Sequence, residues 1–265
     1  MTDKSIVIKK RDEHNISRRN IDPDALRVLY RLNDCGFLGY LVGGGVRDLL
    51  LGRKPKDFDV STSAHPNQIK KLFRNCFLIG RRFRLAHIKF GQKVIETSTF
   101  RRQAETGGDP DDPQADLHVH RDNTYGTPEE DARRRDFTVN GLFYDIRTFA
   151  VIDHVGGLAD LDRKVIRSIG DPTIRFREDP VRMIRAVRFT ARLGFQVEDE
   201  TWGAILRHHR EIEKAAKARM LEEIYRLFPY QSGEPAVLLL RKSRLLSSVF
   251  PEVDADAAGQ PEVRS

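Results

Sequence analysis

Asp57 and Asp59, in the run Asp57-Phe58-Asp59-Val60-Ser61-Thr62, are the first residues in this chain whose types and spacing suggest chemistry. On an extended strand, residues two apart project to the same face, so the spacing predicts two carboxylates side by side. Like charges held so close repel, and a proton, a cation or solvent must offset them. A pair of divalent metals does this, and two metals are the standard device for phosphoryl transfer. An isolated Asp-x-Asp is also common at strand ends, where water solvates it. The upstream sequence changes the balance. Gly43-Gly44-Gly45 predicts a turn before a helix that offers backbone N–H groups to a phosphate, and Arg47 in the first turn can add a charge-assisted contact. The plain alternative is a tight turn with a solvated arginine. Glycines, arginine and paired aspartates together favour the phosphate-and-metal reading over it.

Three further stretches carry candidates. Glu96 closes the apolar run Val94-Ile95-Glu96. A third carboxylate is useful beside a metal pair, although a lone glutamate at a strand edge more often faces water. The stretch from Arg133 to Leu142, RRRDFTVNGL, holds cations suited to triphosphate oxygens, and Asp136 and Asn140 could contact a ribose hydroxyl. Alone, the same stretch reads as a surface helix end. In the third stretch, Arg177 to Phe195, Arg182, Arg185 and Arg188 recur every three residues and trace one slowly rotating helix face. Val181, Ile184 and Val187 form the adjoining apolar stripe. Asp179 before Pro180 suits an N-cap, and an aspartate with an arginine can present an acceptor and donors to a base edge. An arginine ridge on a half-buried helix costs desolvation unless anions lie against it. Solvated charge is the alternative.

These residues need elements to position them. Asp22-Pro23 opens a helical pattern through Leu26, Leu29 and Tyr30, with Gly36 placed to end it. Phe37 to Val42 reads as a buried strand, Val46 to Leu51 as a short helix stopped by Gly52, and Asp57 to Thr62 as a strand. Pro66-Asn67 starts another helix, and three strands follow between Cys76 and Phe100. Gln103 to Thr127 is rich in Asp, Gly, Pro and His without periodicity, the pattern of a long mobile surface loop. His118 and His120 within it read as solvated, not as a metal site. Thr127-Pro128-Glu129-Glu130 is a helix start, and Leu142–Ile146 and Ala150–Val155 look like a strand pair. From Pro180 onward helical patterns dominate. The fold class is therefore α/β (α+β), a mixed α/β front half and an all-helical back half. Turn chemistry at Gly170-Asp171-Pro172 divides it into 22–170 and 171–265, after a flexible basic tail over 1–21.

Composition narrows the partners. Among 265 residues, 46 Lys and Arg against 39 Asp and Glu leave a formal charge of +7. That balance favours a polyanion. Arginine recurs in clusters, Arg81-Arg82, Arg101-Arg102 and Arg133-Arg134-Arg135, and guanidinium suits bidentate phosphate contacts. Two cysteines, Cys35 and Cys76, lack metal-ligand spacing and give no disulfide framework, which points to a reducing cytoplasmic location. No apolar run nears the ~20 residues of a membrane span, and the N-terminus has no secretory core.

LVGGGVRD…DFDVST, RRRDFTVNGL and EDPVRMIRAVRF, in this order and separation, resemble the class II nucleotidyltransferase superfamily of bacterial CCA-adding enzymes and bacterial poly(A) polymerases. The resemblance runs from about Ile16 to Tyr230. Phe77 to Gly91, FLIGRRFRLAHIKFG, resembles the element that marks the poly(A) polymerases, and the opening HNISRRNIDPDALRVLYRLNDCGF is similar to their start. The resemblance implies a polymerase-β-like head domain with a mixed sheet, then a helical neck and partial body, short relative to the family. It implies template-independent addition of AMP from ATP to RNA 3′ ends. The alternatives are CCA addition to tRNA and an inactive RNA-binding relative. By the same resemblance, Asp57, Asp59 and Glu96 would hold two Mg2+ ions. Gly43, Gly44, Arg47, Arg135 and Asn140 would bind nucleotide, with Asp136 at the active site. Asp179, Arg182, Arg185 and Arg188 would select the base, Arg81 and Arg82 would contact primer RNA, and protein partners would add RNA grip.

Overall fold

The structure, a computed structural model, describes residues 6–80, 84–103, 125–228 and 233–250. The chain divides into two compact units, the first ending at Asp162 and the second beginning at Arg163. That division lies eight residues before the turn at Gly170-Asp171-Pro172.

The first unit contains, in chain order, β1 (Val7–Lys9), α1 (Pro23–Asp34), β2 (Gly39–Val42), α2 (Gly44–Leu50), β3 (Asp59–Thr62), α3 (Pro66–Leu72), β4 (Cys76–Ile79), β5 (Leu85–Phe90), β6 (Lys93–Thr99), α4 (Pro128–Arg133), β7 (Leu142–Asp145), β8 (Ala150–Asp153) and α5 (Gly157–Arg163). Its strands form one mixed sheet in the order β1-β8-β7-β2-β3-β6-β5-β4. Neighbours are antiparallel except β3 and β6, which run parallel with Val60 opposite Thr97. Period-two alternation sets the two faces. Val60, Cys76, Ile88 and Ile95 are buried on one face, and α1 packs there through Val28, Leu29 and Leu32. Asp59, Phe77, His87 and Glu96 occupy the other.

α1 forms where its signals predict. The Asp22 side chain accepts from the Asp24 backbone N–H at 2.8 Å, with Pro23 in the first turn. The expected flexible tail is corrected in part. β1 pairs antiparallel with β8, Val7 opposite Asp153, and Ile16 and Ile21 are buried. The β-branched run Ile6-Val7-Ile8 fits a pleated edge, and the basic residues around it masked that signal.

The second unit contains β9 (Val165–Ile166), α6 (Pro172–Glu178), α7 (Val181–Leu193), β10 (Gln196–Val197), α8 (Asp199–His208), α9 (Lys217–Tyr225), α10 (Gly233–Lys242) and α11 (Leu245–Val249). It is helical but not all-helical, because β9 and β10 pair in parallel as a two-stranded sheet. α7 ends at Gly194, whose φ of 71° is left-handed. Arg81, Arg82, His118, His120 and most of the loop expected between Gln103 and Thr127 lie outside the described residues. Among the described residues, no helix is long and apolar enough to cross a membrane.

Candidate active site

The site lies on the open face of the first unit's sheet. β3 begins at Asp59, so Asp57 sits just before the strand, not within it. One step upstream of the Val60–Thr97 pair, Asp59 and Glu96 stand beside each other on neighbouring parallel strands. Burial in the cleft, the Glu96 carboxylate and then Asp57 push the Asp59 carboxyl up to about 6, against an opposing pull from Arg135. Asp59 nevertheless keeps access to solvent. A cleft of about 440 Å³ opens here, lined by Asp59, Glu96, Ser98, Arg101, Arg134 and Arg135 among others. Carboxylates thus face guanidinium groups across one cavity.

These carboxylates suit a hard cation. They offer only oxygen donors, and their mutual repulsion is what a bound divalent ion relieves. Magnesium takes one or two protein carboxylates together with substrate phosphates and waters. Among the described residues, no three His, Cys, Asp or Glu side chains come together as a ready metal-holding group.

The glycine turn is built by close approach. Gly43 has φ 71° and ψ −138°, open to glycine and strained for other residues. A Cβ at Gly43 would lie 3.1 Å from Arg135 Nη1, one at Gly44 3.4 Å from Arg47 Nη2, and one at Gly45 3.3 Å from the Asp57 carbonyl oxygen. The turn is therefore where the separate motifs meet.

Arg47 departs from its expected phosphate contact. It is 2% exposed, and its Nε and Nη2 donate to Asp48 Oδ1 at 2.8 and 2.7 Å. Its Nη1 donates to Asn140 Oδ1 at 2.5 Å. Asn140 Nδ2 in turn donates to Asp136 Oδ1 at 3.0 Å, and the same oxygen accepts from the Phe137 backbone N–H at 2.7 Å. Asp48, Arg47, Asn140 and Asp136 form a buried polar chain under the turn. Asp136 and Asn140 thus brace the turn from beneath.

Arg135 does line the cleft, and what holds it was missing from the sequence reading. Asp131, fully buried, accepts from Arg135 Nη2 at 2.9 Å through Oδ2. Its Oδ1 accepts from Arg134 Nε at 2.8 Å and from the Arg101 backbone N–H at 3.2 Å. Burial raises the Asp131 pKa, but the Arg135 and Arg134 guanidiniums outweigh it and hold the carboxyl below its ordinary value. The available signal was an acid three and four residues before two arginines on a helix.

In the second unit Asp179 is not the cap of α7, whose N-cap is Pro180 without a side-chain bond. The Asp179 Oδ2 accepts from Arg219 Nη2 at 2.8 Å, and Arg182 Nε lies 3.9 Å from the same oxygen. Asp179 Oδ1 is buried with no hydrogen-bond partner among the described residues. The arginine ridge finds its anion inside the protein. Glu223 on α9 accepts from Arg185 Nη1 at 2.9 Å and from Arg188 Nε at 2.8 Å. Glu223 is 5% exposed, and an acid beside Ile224 on an amphipathic helix was the signal for it.

Comparison with known proteins agrees with this architecture. Residues 39–167 match the family described as the Poly A polymerase head domain. Residues 194–256 match the family described as the probable RNA and SrmB-binding site of polymerase A. The chain is 50% identical over 252 residues to poly(A) polymerase I of Salmonella typhi, covering 94% of this chain and 54% of that protein. Against the CCA-adding enzyme of Lactobacillus helveticus identity is 39% over 203 residues, covering 77% and 49%. The solved CCA-adding enzyme of Bacillus stearothermophilus in complex with CTP superposes with a TM-score of 0.74 at 32% identity, covering 85% of this chain and 53% of that one. The chain spans about half the length of the curated relatives it matches. Its motifs, its mixed sheet with a helical second unit and these similarities agree: the chain carries a Poly A polymerase head domain over residues 39–167 and is similar over most of its length to bacterial poly(A) polymerases and CCA-adding enzymes.

Proposed function

We propose that this chain adds adenylates from ATP to RNA 3′ ends without a template and releases pyrophosphate. The observation that carries the reading is the cleft in which Asp59 and Glu96 face Arg101, Arg134 and Arg135. Asp57 and Asp59, with Glu96 beside them, would hold two Mg2+ ions, whose charge would activate the attacking hydroxyl and neutralise the triphosphate. The arginines orient the triphosphate with its α-phosphorus toward the carboxylate side. Gly43 and Gly44 keep the turn free of side chains there. The RNA 3′-hydroxyl attacks in line, the α–β phosphate bond breaks, and no covalent enzyme intermediate forms. The protein contributes position and charge.

Asp179 supports base selection. Its buried, unpartnered oxygen is an acceptor suited to an exocyclic amino group, and Arg182 beside it adds donors. Adenylate preference rests on the Phe77 to Gly91 element and on the poly(A) polymerase relatives, which are more similar to this chain than the CCA-adding one reported. The proposed setting is the cytoplasm, with RNA and ATP as partners and further proteins adding RNA grip. The test incubates tRNA lacking its CCA end with ATP and CTP and reads product length on a gel. The expected product is an adenylate ladder with no defined stop. Addition of two cytidylates and one adenylate, then arrest, makes the chain a CCA-adding enzyme. No incorporation with magnesium present makes it an inactive relative.

A further inference from the structure

The open sheet face does not end at the carboxylates. Glu96 pairs with His87 across β6 and β5, and His87 pairs with Phe77 across β5 and β4. Residues directly opposite in such pairs share a face, so Asp59, Glu96, His87 and Phe77 form one row leading from the reaction centre to the sheet edge. At the strand spacing of 4.7–4.9 Å the row is about 14 Å long, which accommodates roughly four bases stacked at 3.4 Å. At its far end Phe77 and Ile79 are each half exposed. The ammonium groups of Lys70 and Lys89 each lie 5.2 Å from the Phe77 ring centroid.

We infer that this row, ending in Phe77 with Lys70 and Lys89, is the subsite for the 3′-terminal nucleotides of single-stranded RNA. The inference rests on the proposed polymerase activity and names where its second substrate lies. Aromatic rings carry stacked bases of any sequence, and flanking ammonium groups bind the phosphates between them. The direction is also chemically consistent. Arg101, Arg134 and Arg135 collect guanidinium charge on the triphosphate side of the cleft, which leaves the Glu96 side for the attacking hydroxyl. Lys70 on α3 and Lys89 on β5 flank the edge strand β4, and charge at a sheet edge also guards against strand pairing. That role explains the charge but not two half-exposed apolar side chains on the same edge strand, in line with the catalytic carboxylates.

The experiment measures the affinity of a fluorescent oligoadenylate by anisotropy without ATP, and KM for RNA and ATP separately, in the whole chain. Phe77→Ala should weaken RNA binding and raise KM for RNA by roughly tenfold, within the range for loss of one stacked base. KM for ATP should stay at the wild-type value, and Phe77→Trp should restore RNA affinity. Lys89→Ala should flatten the slope of log affinity against log salt by about 0.7, one phosphate contact on a single strand. RNA affinity and salt slope unchanged in both variants, in a chain that still adds AMP, would overturn the subsite and leave the activity standing. Self-association of Phe77→Ala with unaltered RNA affinity would also overturn it and assign the edge a guarding role. A wild-type chain that binds the oligonucleotide at Phe77 but adds no AMP would refute the activity and keep the subsite. A wild-type chain that does not bind it at all would refute both.

Discussion

Replacing Asp59 by Asn should stabilise the metal-free protein, and the structure sets both the size and the pH dependence of the effect. The Asp59 carboxyl is raised from an ordinary value of 3.8 to about 6. A raised carboxylate favours its protonated form in the folded state, so above pH 6 the ionised group works against folding. A shift of 2.2 units at 1.36 kcal/mol each gives a ceiling of about 3 kcal/mol. Asp59 keeps solvent access, and screening brings the figure to roughly 1 kcal/mol. For a chain of this size that raises the thermal midpoint of Asp59→Asn by about 2–4 °C at pH 7.5 in chelator. The penalty on the wild type grows as pH climbs from 3.8 to 6, so the gap should halve near pH 5 and nearly vanish at pH 4. Magnesium should raise the wild-type midpoint and leave that of the variant almost unmoved, while the variant loses AMP incorporation. Thermal unfolding across pH, with and without magnesium, reads all of this. A variant with a lower midpoint than wild type at pH 7.5 in chelator, or a gap independent of pH, refutes the argument that crowded carboxylates store strain for a cation.

Asp131→Ala leaves Arg134 and Arg135 without their buried counter-ion and should cost about 3 kcal/mol, the low end for a broken buried pair because both arginines are part exposed. Its carboxyl is held below 3.8, so the wild type keeps this advantage at all pH values above that and loses it only in stronger acid; unfolding at pH 7 and pH 4 should give similar differences. Asp179→Ala should lower ATP-over-CTP preference by roughly 1–3 kcal/mol, by analogy with base-edge contacts, with total incorporation less affected. Competition assays with both nucleotides measure it, and an unchanged ratio reduces Asp179 to a partner of Arg219.

Local patterns made most of the first unit legible. Asp22-Pro23, the glycine turn, the alternating strands from Cys76 to Phe100 and the Thr127 helix start each rest on neighbours in sequence, and each formed near its expected place. The Thr127 side chain accepts from the Glu130 N–H while Glu130 answers the Thr127 N–H, as the residue order implied. Long-range pairing was not legible. Nothing near Arg47 announces Asn140, so the buried bond between them was not legible beside the expected phosphate contact. Nothing near Arg188 announces Glu223, so the ridge read as awaiting an external anion. β1 failed for a different reason, since three residues among basic neighbours carry too little period to stand out. β9 and β10 are shorter still and exist only as each other's partner.

The Arg47–Asn140 bond joins residues 93 apart, and Arg135 closes on Gly43 from nearly as far. A chain growing on the ribosome therefore carries Asp57, Asp59 and Glu96 before the groups that shape their cleft have been made. The 39 residues from Thr97 through Arg135 take about 2–8 s to synthesise at 5–20 residues per second. Through that interval the acidic residues lack Arg134 and Arg135 across the cleft, and the glycine turn lacks Asn140 beneath it. Nascent chains should thus stay indifferent to ATP until the second motif emerges, and acquire nucleotide binding in one step.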